Sequence, residues 1–121
     1  MIKIDDWVIE KGEKAQGEIK ITGGGMSMPA TVICGVEDGP TILITAGVHS
    51  AEYVGIQAAM ELAKEFQPED LKGNVIVIPL VNVSGFEHRT MSMVYEDGKN
   101  LNRVFPGDPN GTAADRIAHT M

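Results

Sequence analysis

A chain of 121 residues with 43% hydrophobic and 22% charged residues has the size and balance of one globular domain around a single core. Its formal net charge of -7 and isoelectric point near 4.8 oppose broad attraction to nucleic-acid phosphates or anionic membrane surfaces, so no nucleic acid and no membrane is expected as a partner. A small anionic ligand stays open to it, provided a few arginines share one cleft.

In chain order, the opening MIKIDDW is acidic and lacks the basic start and apolar run of a secretory signal; its Trp7 is assigned to packing. The longest apolar run, Val75 to Val83, is broken by Pro79 and Asn82 and is too short for a bilayer. Both features point to the cytoplasm. Residues 17–22, GEIKIT, alternate polar and apolar as a half-buried strand does. Residues 22–27, TGGGMS, have the glycines of a phosphate loop, but no lysine-serine pair follows and Met28-Pro29 begin a strand, so nucleotide binding is not expected. The second strand is MPATVICGV, 28–36. Its Cys34, the one cysteine, precludes an internal disulfide, suits a reducing compartment and is read as a packed core thiol.

EDGP at 37–40 has turn chemistry, and TILITAG at 41–47 is a β-branched run that fits a strand buried on both faces. From Ala51 to Phe66 the period changes to a helix, with Ala51, Val54, Ala58, Leu62 and Phe66 on its expected core face. Ser50 is its expected N-cap, and Pro68 closes it. NVIVIPLVN at 74–82 returns to strand, with Pro79 marking its end or a sheet edge. Residues 83–110 read as a long loop, and GTAADRIAHTM starts a further helix in which the sequence stops. Two strands around one helix make a βαβ unit with parallel neighbours and a right-handed crossover. Ligands of such sheets bind beyond the carboxyl ends of the strands, where His49, Glu52, Asn82 and the 83–110 loop would gather.

Two stretches carry chemistry. In GVHSAEYVG, 47–55, His49 and Glu52 stand three apart at a strand-to-helix corner, where an imidazole and a carboxylate can face one ion. A catalytic zinc takes three protein ligands and keeps a fourth position open, so the pair is at most part of a site. The spacing also arises by chance, and Glu52 could merely favour the positive end of the helix dipole. In EDGKNLNRVFPGDPNG, 96–111, Asn102 and Arg103 are adjacent: a guanidinium grips a carboxylate with two parallel hydrogen bonds, and a neighbouring amide adds a third. The plainer reading of that pair is a surface turn with a stray arginine.

Taken together, AGVHSAEYVG and the later DGKNLNRVFPG, flanked by GPTILITAG and VIPLVNVSGF, resemble the succinylglutamate desuccinylase and aspartoacylase family, relatives of the zinc carboxypeptidases. The resemblance runs from about Gly17 onward. It implies an α/β fold with a mixed, largely parallel sheet of the zinc-carboxypeptidase type, truncated after the first βαβ unit and the start of a further helix. It implies that His49 and Glu52 are the first two ligands of a Zn2+ ion and that Asn102 and Arg103 bind a substrate carboxylate. The family also places an arginine in the loop before that pair; here Arg89 is the one available, although the family pattern puts it nearer Met91 or Ser92. Ser50 stands where the family usually has Gly.

The family's third zinc ligand, a histidine on a later strand, and its general base, a glutamate further on, are not among these residues. Residues 1–121 are therefore expected to be the amino-terminal part of a single zinc-hydrolase-like domain, inactive by themselves. His88 and His119 are read as exposed or lightly packed rather than as ligands. The activity implied is zinc-assisted hydrolysis of an amide bond in a small anionic N-acyl amino acid. A carboxypeptidase-like peptidase and a non-catalytic binding or assembly module stay open beside it. Unpaired strand edges in such a partial sheet recruit other chains, so a homo-oligomer is a possible state.

Overall fold

The first nine residues form a hairpin that the apolar pattern does not announce. In the computed structural model, which describes residues 1–121, β1 (Ile2–Ile4) pairs antiparallel with β2 (Trp7–Ile9). The hairpin lies over the main sheet through its apolar side: Ile9 is buried with Val32 and Cys34, and Trp7 packs against the same cluster. A methyl group added at Gly17 would stand 2.1 Å from the Trp7 ring, so the ring lies directly on that backbone. Trp7 and Cys34 are thus packing residues, as their settings indicated.

The main sheet has four strands, β3 (Lys14–Lys20), β4 (Ser27–Cys34), β5 (Glu37–Thr45) and β6 (Lys72–Ile78), in the spatial order β3-β4-β6-β5. The fold is the expected mixed α/β architecture, but the sheet is mostly antiparallel rather than largely parallel, because a tight reversal joins β3 to β4 and β4 runs against β6. The expected parallel neighbours are β5 and β6, in register from Thr41 opposite Asn74 to Thr45 opposite Ile78, whereas β3 with β4 and β4 with β6 are antiparallel. Gly23, Gly24 and Gly25, all at positive φ, make the reversal between β3 and β4, a use of the glycine run unrelated to phosphate.

Residues 37–40 are strand and not a turn, because β5 does not fold back on β4: β6 takes the place between them. The turn-forming residues serve a bulge instead, with Glu37 opposite Lys72 and a register shift before Thr41. Gly73, at φ 84°, lets the two backbones close up there; a Cβ at that position would meet the Pro40 carbonyl oxygen at 2.1 Å.

The crossover helix, α1 (Tyr53–Glu65), buries Ile56, Ala59 and Ala63, the two alanines against Ile33, Val75 and Val77. The expected core face is displaced around the helix: Val54 is 86% exposed, Ala58 is exposed, and Leu62 and Phe66 are only half-buried. Two apolar stripes run along this helix, and the alanine-rich one allows the closer approach to the sheet. The other stripe borders an open groove beside β5, whose Ile42 and Leu43 are also exposed. Ser50 is not the N-cap; that position is Glu52, without a side-chain capping bond, while the Ser50 hydroxyl donates to the Met91 carbonyl at 2.9 Å.

The stretch 83–110 is more ordered than a loop. It holds α2 (Val83–His88), capped by the buried Asn82, whose Oδ1 accepts from Gly85 N–H, and a 3-10 turn at Leu101–Arg103. The last helix is α3 (Ala113–Thr120), begun by a capping box between Thr112 and Asp115. Ala114, Ile117 and Leu101 join Ile21, Met28 and Val94 in the core on the opposite face of the sheet from α1. No helix is long and apolar enough to cross a membrane.

Candidate metal and carboxylate site

Because β5 and β6 are parallel, the chain leaves both at the same end of the sheet. The two exits are laced together: Ala46 N–H donates to Ile78, Val81 N–H to Ala46 and Asn82 N–H to Gly47. The segment after Gly47 then turns sharply, with Glu52 N–H donating to the His49 carbonyl at 3.1 Å, and this turn brings the side chains at 49 and 52 to one side. From below, a tight loop delivers the second group of residues. Val94 N–H donates to Lys99, Gly98 N–H to Val94, and Met93 bridges to Asn100. Leu101, fully buried, anchors this loop in the core.

His49 Nδ1 lies 2.7 Å from Glu52 Oε1, and His49 Nε2 lies 2.9 Å from Asn100 Oδ1. The Asn100 atom also accepts from Asn102 N–H at 3.0 Å, which identifies it as the amide oxygen. The imidazole is therefore held between two acceptors, and only a doubly protonated ring donates to both. The hydrogen bond to Asn100 and then that to Glu52 hold the His49 pKa above the ordinary histidine value, against partial desolvation and the positive charge of Arg103. Glu52 is the open side of the pair, with its side chain 70% exposed against 25% for His49.

His49, Glu52 and Asn102 line one open concavity of about 300 Å³ whose floor is Gly47 and Val48. Arg103 stands next to Asn102 with its guanidinium field acting on the His49 ring. Four of the five expected site residues are thus brought to one place. Arg89 is set apart: it closes α2 in a left-handed conformation, φ 55°, and lines a different concavity with Tyr53, Phe86 and Met91, which has no lining residue in common with the first. His88 stacks on Tyr95 at 3.6 Å and its Nδ1–H donates to the Ser84 carbonyl, and His119 belongs to α3.

The donor set fits a divalent cation in part. One imidazole nitrogen and one carboxylate oxygen already face each other across a single hydrogen bond, and a cation bound between them would replace the shared proton. The second ring nitrogen has the fixed acceptor that metal-binding histidines require, and no set of three or more His, Cys, Asp or Glu side chains converges anywhere in the chain. Sequence reasoning missed Asn100. Its one signal is the repeat of asparagine two positions before Asn102, which looks like ordinary loop composition until the fold brings it to His49.

The chain is similar to known proteins along most of its length. The model of the succinylglutamate desuccinylase/aspartoacylase catalytic domain matches residues 38–121. N-alpha-acetyl-L-2,4-diaminobutyric acid deacetylase of Halomonas elongata is 43% identical over 97 residues, 78% of this chain. Among solved structures, a succinylglutamate desuccinylase/aspartoacylase from Rhodobacter sphaeroides superposes with a TM-score of 0.79 at 34% identity over 93% of the chain. An aspartoacylase family protein from Mesorhizobium loti does so with 0.82 at 31% identity over 94%. The chain spans 27% of the length of the Halomonas enzyme and 37% of each of the two crystal-structure chains. The family model across residues 38–121, together with the 43% identity to the Halomonas enzyme over 78% of the chain, leads to one conclusion: the chain belongs to the succinylglutamate desuccinylase/aspartoacylase catalytic-domain family.

Proposed function

We propose that this chain is the amino-terminal part of a single zinc-dependent deacylase domain that hydrolyses the amide bond of a small N-acyl amino acid. The observation that carries the reading is the imidazole–carboxylate pair of His49 and Glu52, fixed from behind by Asn100 and flanked by Asn102 and Arg103. His49 and Glu52 would hold the Zn2+ ion, which supplies an activated water and polarises the acyl carbonyl. The residues of the chain itself have separate tasks. Asn100 keeps the Nε2 proton of His49 in place, so that Nδ1 is the nitrogen free to bind. Arg103 and Asn102 hold the amino acid's carboxylate, which orients the scissile bond toward the pair. Arg89, which lines a separate concavity, is the arginine this reading assigns to the acyl end.

In this reading a third ligand and a general base come from residues beyond these 121, so the chain alone is inactive. The lone buried thiol of Cys34 fits a cytoplasmic protein. The open edge of β5 and the exposed Ile42 and Leu43 beside it favour self-association of the isolated chain, with sedimentation velocity showing a concentration-dependent shift.

The test of function uses a protein that carries this chain at the length of its relatives. N-acetylated and N-succinylated amino acids should be cleaved, peptides should not, and a chelator should abolish the reaction until zinc is restored. Cleavage of peptides in preference to acyl amino acids would make it a carboxypeptidase-like enzyme. A protein that takes up no divalent metal would be a binding or assembly module.

A further inference from the structure

We infer that Asp97 is a positioning residue for the loop that carries Asn100, Asn102 and Arg103, acting by clasping that loop to the first turn of α3. The inference rests on the reading of Arg103 as a carboxylate-binding group.

The clasp is built from both sides. Asp97 Oδ1 accepts from Lys99 N–H at 3.0 Å, which shapes the loop itself. Asp97 Oδ2 leaves the loop altogether: it accepts from the Thr112 hydroxyl at 2.7 Å and from Ala114 N–H at 2.8 Å. In return Lys99 Nζ donates to Asp115 Oδ2 at 2.7 Å, the same oxygen that accepts from Thr112 N–H. Four side chains and one backbone amide thus join residues 97–99 to residues 112–115.

Two features separate this arrangement from ordinary helix capping. The capping box of α3 is complete within Thr112 and Asp115, so the helix has its own cap without Asp97. Asp97 instead takes Ala114 N–H, one of the amides that lack an intrahelical acceptor, and spends it on a tie between segments. The platform is also rigid, because Ala113, Ala114, Ile117 and Ala118 are buried in the main core. Three residues after Asp97, Asn100 meets His49, and Asn102 and Arg103 follow closely. Asp97 lines no part of the concavity, so it acts through the loop and touches no ligand.

The 121-residue chain is titrated with N-acetylglycine while the Asn102 side-chain amide signals, present in every variant, are followed by nuclear magnetic resonance, in the wild type and in Asp97→Ala, Asp97→Asn, Arg103→Lys and Ile33→Val. Arg103→Lys should abolish the response. Asp97→Ala should weaken binding several-fold, with part of it recovered in Asp97→Asn, which keeps one acceptor oxygen; if the alanine variant does not fold, the asparagine variant against wild type carries the comparison. Ile33→Val lowers the melting temperature from a core site on the other face of the sheet and should leave affinity unchanged. Unchanged affinity in the Asp97 variants with Arg103→Lys inactive overturns the positioning role alone, as does an equal loss in Ile33→Val. Binding that is absent in the wild type or indifferent to Arg103→Lys overturns the carboxylate reading and this inference with it.

Discussion

The Nε2 of His49 meets the Oδ1 of Asn100 at 2.9 Å, so the tautomer of a residue at a strand-to-helix corner is set by a loop residue fifty-one positions away. Outer partners of this kind orient a ligand imidazole, and their loss costs about 10–100-fold in metal affinity. Asn100→Ala should lower the zinc affinity of the chain by that order in calorimetry, while Asn100→Asp, which keeps the acceptor, should lose little. Equal affinity in Asn100→Ala and wild type would remove Asn100 from the site.

Metal uptake should depend on pH in a stated direction. The His49 pKa is raised by its bonds to Asn100 and Glu52, and a cation needs the Nδ1 lone pair that the proton occupies. Zinc affinity should therefore climb as pH rises from below about 6.5 through the folded value, with proton release detectable as a dependence of the heat on buffer.

Without metal, the same group gives stability of the opposite slope. A pKa raised in the folded state means a contribution fully present below the unfolded value of about 6.5 and lost as pH rises through the folded one. The difference in melting temperature between wild type and His49→Gln should be larger near pH 5.5 than near pH 9, measured by circular dichroism with a chelator present.

Asp115 behaves in reverse. Its hydrogen bond from Lys99 depresses the carboxyl pKa below the ordinary 3.8, so its contribution is present above that value and lost as pH falls through the folded one. Asp115→Asn should lower the melting temperature at neutral pH and converge with wild type on acidification. A gap that persists undiminished at low pH would show that the charge of Asp115 is not the source.

The face that α1 turns to the sheet can be tested by two truncations. Ile33 is fully buried against Ala59 and Ala63, and Ile33→Ala should cost roughly 2–5 kcal/mol in urea unfolding. Val54 is 86% exposed, and Val54→Ala should stay within about 0.5 kcal/mol.

Much of this was legible beforehand, and the misses have physical causes. The parallel pair was readable because two strand-like runs, TILIT and NVIVI, bracket one helix. TILIT is not buried on both faces as its β-branched run suggested: β5 pairs only with β6, lies at the sheet edge and is exposed along most of its length, Ile42 and Leu43 included. The face of α1 was not readable, since an apolar count ranks Val54 and Leu62 above Ala59 and Ala63, whereas close approach to a sheet favours the small side chains. EDGP was misread because turn residues and bulge residues are chemically alike, and the choice between them depended on a strand that arrives thirty residues later. At the site, His49 with Glu52 was visible because both lie within one local turn. Asn100, Asp97 and the separation of Arg89 depend on how 83–110 folds, and composition alone showed that stretch as loop.

The most direct test of the central claim is a zinc titration of the 121-residue chain monitored through the nitrogen signals of its histidine rings. The account predicts that the Nδ1 signal of His49 shifts on metal binding while its Nε2 keeps the proton bonded to Asn100, that Glu52→Ala abolishes the shift, and that His88 and His119 stay unchanged. Zinc bound with the His49 ring unaffected, or a His49 shift indifferent to Glu52→Ala, would contradict it.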